Sequence, residues 1–498
     1  IHNAINRELW MADKGWHAEY KDLLGLQQLH KNPAIWTIYH ALDSQVSDAF
    51  QAYQILRYID TEIPHIPIKA KGLTGNNYQL VSTSSWMPSS WPVNNVALAE
   101  VLHTSLAYWQ GGRPDKAFTL WKSAFLESMY LSSSAGGFGQ LPFYDAIRGE
   151  LYRDFADPIG MAARTLVEGL FGVKPDALNG KITVHPGWPE DWKHASLEIP
   201  DLSIGFKRNG VVDSYSIKPS FSKPLALIFR TKARKADIEY INVNGSPTEW
   251  RHDSDAVGAP ILEVTCKQAP NYEIEIKWKE SKSAEIQSPD FITAGERLNL
   301  KSDEAILEEV YDPQKTLLNI QINDDKVSAE VIGETGYHTI FVKATQGQFT
   351  WWEALDFEIR PAIAVMAPKD QPNNSLRFQL QNNTTTELNG KVTVNPSRNP
   401  FTQNISIHSK ASSAVIQVPQ ENLVLGSNVV LFESAEGKLI QSTVINWDID
   451  NPVATSYDEI DLADFFNDQV TNIFRNEYRS PRPTSPTLQV PLHGIGNW

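Results

Sequence analysis

Two stretches in the first 160 residues gather carboxylates among aromatics, and that is the equipment of glycoside chemistry. A sugar's C–H face stacks on Trp or Tyr, and cleaving its bond takes one carboxyl as acid and another as base or nucleophile. The first stretch is Trp10 to Asp22. A helix end runs through Asp13, Lys14 and Gly15 into a short extended piece, and alternation predicts His17, Glu19 and Lys21 on one side with Trp16, Ala18 and Tyr20 on the other. An ordinary surface hairpin reads the same way. The second stretch, Gly136 to Pro158, carries Asp145, Glu150, Asp154 and Asp157 with Arg148, Arg153, Phe143, Tyr144 and Tyr152. Asp157 before Pro158 reads as a helix N-cap, and Asp154 as an ion-pair partner of Arg148 or Arg153, which leaves Asp145 and Glu150 as the chemical candidates. A third loop, Ser82 to Asn95, offers hydroxyls, amides and the indoles of Trp86 and Trp91; packing in a core is the other use of such indoles. His40 and Asp43 are weaker candidates of the same kind.

Other chemistries leave no mark. There is no H-E-x-x-H, C-x-x-C, P-loop, G-x-S-x-G or glycine-rich dinucleotide turn, so neither a catalytic metal nor a cofactor is expected. His103, inside an apolar helical segment, reads as a core histidine. Cys266 is the single cysteine; it forms no internal disulfide and reads as a buried thiol.

The elements that must position these residues change character near residue 174. Before it, Ser47 to Ile63, Val96 to Gln110, Pro114 to Leu131 and Pro158 to Val173 show helical spacing. The apolar residues of Val96 to Gln110 occupy more than one face, as in a helix buried on two sides. After residue 180 the period is two: Lys181 to His185, Leu202 to Phe206, Ala226 to Arg230, Asp237 to Val243 and Tyr272 to Trp278 read as strands, with Asn244-Gly245 a hairpin turn. Two more units of immunoglobulin-like size follow. The formal charge of −15 argues against nucleic acid as a partner, because a polyanion binder needs a basic surface. No run of about 18 apolar residues predicts a membrane span. The start at Ile1, without a visible secretory signal, reads as a processed or excised segment of something longer.

Certain residues resemble a family. Leu166 to Asp176, then Ile182-Thr-Val-His-Pro-Gly-Trp-Pro-Glu-Asp-Trp192 and Leu197-Glu-Ile-Pro, look like the exit from an (α/α)6 toroid into a β-sandwich in processing α-glucosidases, α-L-rhamnosidases and the maltose-phosphorylase group. Trp10 to Asp22 similarly resembles the helix-to-hairpin element of the processing α-glucosidases. The fit is closest to multidomain proteins of glycan-degrading gut bacteria. The resemblance, which covers about the first 210 residues specifically, implies part of a toroid running into a β-sandwich, residues 1–173 as the toroid's C-terminal half and 174–280 as the sandwich; by their own pattern 281–360 and 361–450 are the two immunoglobulin-like domains and 451–498 an acidic, Pro-rich connector. The resemblance also implies an inverting glycoside hydrolase acting on a complex oligosaccharide or polysaccharide, periplasmic or extracellular, in a bacterium. Asp145 is then the general base, with Glu150 the second choice. The general acid lies in an upstream segment, in a partner chain completing the toroid, or at Glu19; otherwise the site is not catalytic. Trp16, Trp86, Trp91 and Tyr144, with Tyr20 and His40, would contact the glycan, and Lys21 and Arg148 would hold hydroxyls or an acidic substituent. A polysaccharide lyase, with Tyr or His as base, and a non-catalytic glycan-binding or scaffold protein are the rival readings.

Overall fold

The computed structural model describes residues 1–68, 73, 78–86, 93–131, 143–145, 150–152, 157–368, 374–437 and 439–447; the expected connector, 451–498, lies outside them. Among these residues no helix is long and apolar enough to cross a membrane.

The expectation of a toroid is corrected here: the molecule is mostly β, with 44% strand against 19% helix, and no helical toroid is present among the described residues. The helices are α1 (His2–Leu9), α2 (Ile35–Asp43), α3 (Ala49–Glu62), α4 (Leu98–Gln110), α5 (Pro114–Phe125) and α6 (Asp157–Arg164). Short strands interrupt the helical sequence, and the described helices make no ring of alternating inner and outer helices. Two-sided burial has a simpler cause. Helix α4 is the centre of a small cluster, with α2, α5 and α6 all packed on it, and Leu98, Val101, Leu102, Leu106 and Ala107 are inaccessible.

Local sequence explains the helix limits. Asp48 caps α3 by accepting from Gln51 N at 2.8 Å while Gln51 Oε1 accepts from Asp48 N at 3.1 Å, a reciprocal capping box. Pro114 opens α5, where its missing N–H costs nothing. Helices α5 and α6 each continue into a π-helical turn, Leu126–Leu131 and Thr165–Leu170. Two residues beyond the second of these lies Gly172, whose φ of 66° and approach to His185 leave no space for a Cβ.

The β part follows its alternation. A six-stranded antiparallel sheet runs in the order His194–Ile199, Leu202–Asn209, Val212–Pro219, Tyr272–Trp278, Ile238–Val243, Ser246–Pro247. Asn244 and Gly245 both take positive φ in the turn between the last two, as the dipeptide predicts. A five-stranded sheet faces it, in which Ala226–Lys232 lies parallel to Lys181–Val184. Two four-stranded sheets make up the next unit, and a three- and a four-stranded sheet the last. In the last unit Leu376, Phe378, Leu380, Val392 and Val394 are all inaccessible, so the sandwich and immunoglobulin-like character read from period two is present. Cys266 is buried, and burial pushes its thiol up to about 11.

The helices are fixed to the second β unit. Phe50 on α3 meets Tyr311, Phe341 and Trp352 edge-on. Arg57, 1% exposed, donates to Gln314 Oε1, Thr339 Oγ1 and the Lys14 carbonyl. Arg113 donates to Asp60 at 2.6 Å and to Asp356 at 3.1 Å, and lies over the Tyr53 ring. These contacts hold the helical cluster, and with it the candidate site, in place.

Candidate functional site

The site follows α2. Its N-cap residue Ala34 has no side chain able to cap, and Glu19 does that work from the preceding hairpin. Glu19 Oε2 accepts from Ala34 N at 2.9 Å and from Thr37 Oγ1 at 2.6 Å, while Oε1 accepts from Trp36 Nε1 at 2.8 Å. A capping box normally recruits the acceptor for the N-cap N–H from the helix itself; here it comes from outside. Both oxygens are engaged, so Glu19 is a helix-anchoring carboxylate in this geometry. The expected alternation around it is not kept. The strand Trp16–His17 ends at once, His17 and Ala18 are both buried, and the chain turns to hydrogen-bond with His30.

That turn builds an aromatic row. Tyr20, 54% exposed, stacks on His30 with centroids 5.1 Å apart; Trp86 meets His30 edge-on at 5.0 Å and Trp36 at 5.8 Å. The Trp86 indole is fixed by donation to the Asn32 carbonyl at 2.7 Å. Trp16 has another role: its ring packs on Tyr58 at 4.6 Å and its N–H reaches the Lys31 carbonyl. Lys21 is paired with Glu8 at 2.9 Å. The hydroxyls and amides of Ser82, Thr83, Ser84, Asn94 and Asn95 are buried, with Ser82 and Ser84 bonded within the loop rather than presented to a ligand.

One turn further along α2, about 5.4 Å, a second group gathers that sequence reasoning missed. Glu100, in the first turn of α4, accepts from the Tyr39 hydroxyl, its one hydrogen-bond partner among the described residues. Burial raises its carboxyl above the usual range, Asp157 pushes the same way, and the Tyr39 hydroxyl and His40 pull against them. Burial also raises the Tyr39 phenol, with Glu100 adding to the effect. His40 is exposed, with its ring 4.6 Å from that of Tyr39. His103 stacks on Tyr39 at 3.9 Å, and burial lowers it to about 4. It is a core histidine, as the sequence suggests. Asp43 ties the three helices together, accepting from Arg164 at 2.7 Å and Gln110 at 2.9 Å. A signal for this group was present in the pair Glu100-x-x-His103, an acid and an imidazole one turn apart on one face of α4.

Trp91 and Arg148 lie outside the described residues. For Tyr144, Asp145 and Glu150 the backbone is placed: Phe143–Asp145 pairs with Glu150–Tyr152, with Asp145 opposite Glu150, and also with Val96–Ala97 immediately before α4. The main chain of both acids therefore belongs to the small sheet from which α4 emerges. Among the described residues no three His, Cys, Asp or Glu converge in a way that could hold a metal ion.

No family model and no curated protein matches this chain. Among solved structures, similarity extends to SGBP-B of a Bacteroides ovatus mixed-linkage glucan utilization locus, in complex with a mixed-linkage heptasaccharide, at 12% identity over 47% of this chain and a TM-score of 0.19. It extends also to Escherichia coli α-2-macroglobulin at 8% identity over 49% of this chain and a TM-score of 0.18. Tandem immunoglobulin domains of titin match at 11% identity over 34% of this chain and 99% of that one, with a TM-score of 0.14. The chain spans 63% of the first of these structures and 32% of the second. Likenesses this slight carry no argument about function.

Proposed function

We propose that the chain binds a glycan along the outer side of α2, with sugar rings against Tyr20, His30, Trp86 and Trp36 and the polymer running toward His40 and Glu100. The supporting observation is the aromatic row, held by hydrogen bonds at Trp36 and Trp86 and continued one turn later by a partly buried carboxyl. Such a surface offers apolar faces for C–H groups and fixed polar edges for hydroxyls. Periplasmic or extracellular placement in a bacterium suits a partner of this kind. Calorimetric titration with neutral plant and microbial polysaccharides tests the reading. Saturable binding that is weakened in Trp36→Ala and Trp86→Ala supports it, and unchanged binding in both variants overturns it.

Hydrolysis of the bound glycan is the second reading, favoured by the position of the part-buried Glu100 carboxyl at the end of the aromatic row, with Tyr39 its one hydrogen-bond partner among the described residues. A general acid must keep its proton near neutral pH. Asp145, or Glu150 in its place, remains the proposed base of an inverting reaction, which needs carboxyl groups about 6.5 to 9.5 Å apart. Glu100→Gln is then expected to lower kcat by about 10²- to 10⁴-fold with glycan affinity retained; full activity in that variant rejects Glu100 as the acid. A lyase reading gains nothing from Tyr39, whose raised phenol is a poor source of phenolate.

A further inference from the structure

A cleft of about 240 Å³ opens where the first β-sandwich meets the second β unit. Lys232 and Lys235 line it from the sandwich side, Phe349, Trp351 and Glu353 from the strand Phe349–Arg360, and Glu190 from the connector after the helices. Glu353 is the unusual member. One of its oxygens accepts from Trp351 Nε1 at 2.8 Å, and the other has no protein partner among the described residues. Burial raises this carboxyl, partly offset by the Trp351 hydrogen bond and by Lys232. The remaining charges are spoken for: Lys232 faces Glu190 at 3.4 Å, and Lys235 donates to the Ser281 carbonyl at 2.8 Å.

We propose that this cleft is a second binding site, for one neutral pyranose unit. Two ammonium and two carboxyl groups balance, so neither an anion nor a cation is favoured. The carboxyl oxygen of Glu353 left without a protein partner accepts from a sugar hydroxyl, which can itself both donate and accept. The volume falls below the roughly 300–1,000 Å³ of pockets for drug-sized molecules, which limits the occupant to a single ring. The site is independent of the aromatic row on α2.

The test follows the Trp351 indole N–H resonance of the whole chain, assigned with Trp351→Phe, while methyl glucoside, methyl galactoside and methyl mannoside are titrated. This readout is unaffected by success or failure of the α2 reading. A saturable shift with at least one glycoside is expected. Glu353→Gln, which keeps a donor and an acceptor in place, should retain the affinity within about twofold, and Glu353→Ala should weaken it about tenfold. No saturable shift with any of the three in the wild-type chain overturns the proposal whether or not the variants fold. A saturable shift with ethylammonium or acetate instead overturns the neutral-ligand assignment.

Discussion

Glu19 and Glu100 approach the same short helix from opposite neighbours, and they differ in what their oxygens are free to do. Glu19 comes from the aromatic-rich hairpin that resembles a glycosidase element, and three donors hold its two oxygens. Glu100 comes from the buried helix α4, and Tyr39 is its one hydrogen-bond partner among the described residues. Company among aromatics marks where a ligand could lie; the donors around a carboxylate decide whether it can react. The largest effect that tests this contrast is on stability. Glu19→Ala strands the Ala34 N–H and the Trp36 indole and is expected to cost about 3 kcal/mol, read as a lower urea midpoint at unchanged m. A cost below about 1 kcal/mol would break the contrast by showing Glu19 to be dispensable to the helix.

The histidines beside the two carboxylates sharpen the same comparison. His17, two residues before Glu19, and His103, one turn after Glu100, are both lowered to about 4 by burial. An unfolded chain protonates them near 6.5. Between those values the unfolded state holds more protons, so stability is full above about pH 6.5 and is lost as pH falls toward 4. Each histidine is expected to contribute about 2 kcal/mol to that loss. His103→Gln should therefore flatten the acid limb of a stability-versus-pH curve; an unchanged slope would mean that His103 is already charged in the native cluster.

The β units were legible because their rule is local. Period two fixes which side chains face inward, and Asn244-Gly245 needs nothing beyond its own positive φ values to close its turn. The helical cluster was legible only in part. Burial of α4 on several faces is real, but one central helix with three neighbours produces the same pattern as a ring, and periodicity does not distinguish them. Glu100 was missed because its partner Tyr39 lies 61 residues away. Glu19 was found by its surroundings, yet its capping role depends on Ala34, Trp36 and Thr37 beyond the hairpin's own pattern.

Binding comes next in size. Trp86 has an aromatic partner on each side and one hydrogen bond through its N–H, whereas Trp16 packs against Tyr58. Trp86→Ala is expected to weaken glycan binding by about 1.5 kcal/mol, roughly tenfold, with less effect on stability. Trp16→Phe should do the reverse, lowering the melting temperature while leaving the dissociation constant within about twofold. Equal affinity losses in the two variants would remove the distinction between the aromatic row and the core.

The smallest effect is the one on stability at Glu100 itself. Its carboxyl is raised by burial, so the folded protein binds that proton more tightly than the unfolded chain, whose ordinary value is about 4.3. Above the unfolded value the native state holds the extra proton, and stability falls as pH rises toward the raised native value. Glu100→Gln removes this opposing slope. It keeps an oxygen to accept from Tyr39, so at acid pH its stability should match the wild type within about 0.5 kcal/mol. At neutral pH it should equal or slightly exceed the wild type, by up to about 1 kcal/mol. Parallel urea titrations at pH 4.5 and 7.5 measure the difference. A variant less stable at the higher pH would mean that Glu100 is held as a carboxylate, and the contrast between Glu100 and Glu19 would then lie in their partners alone.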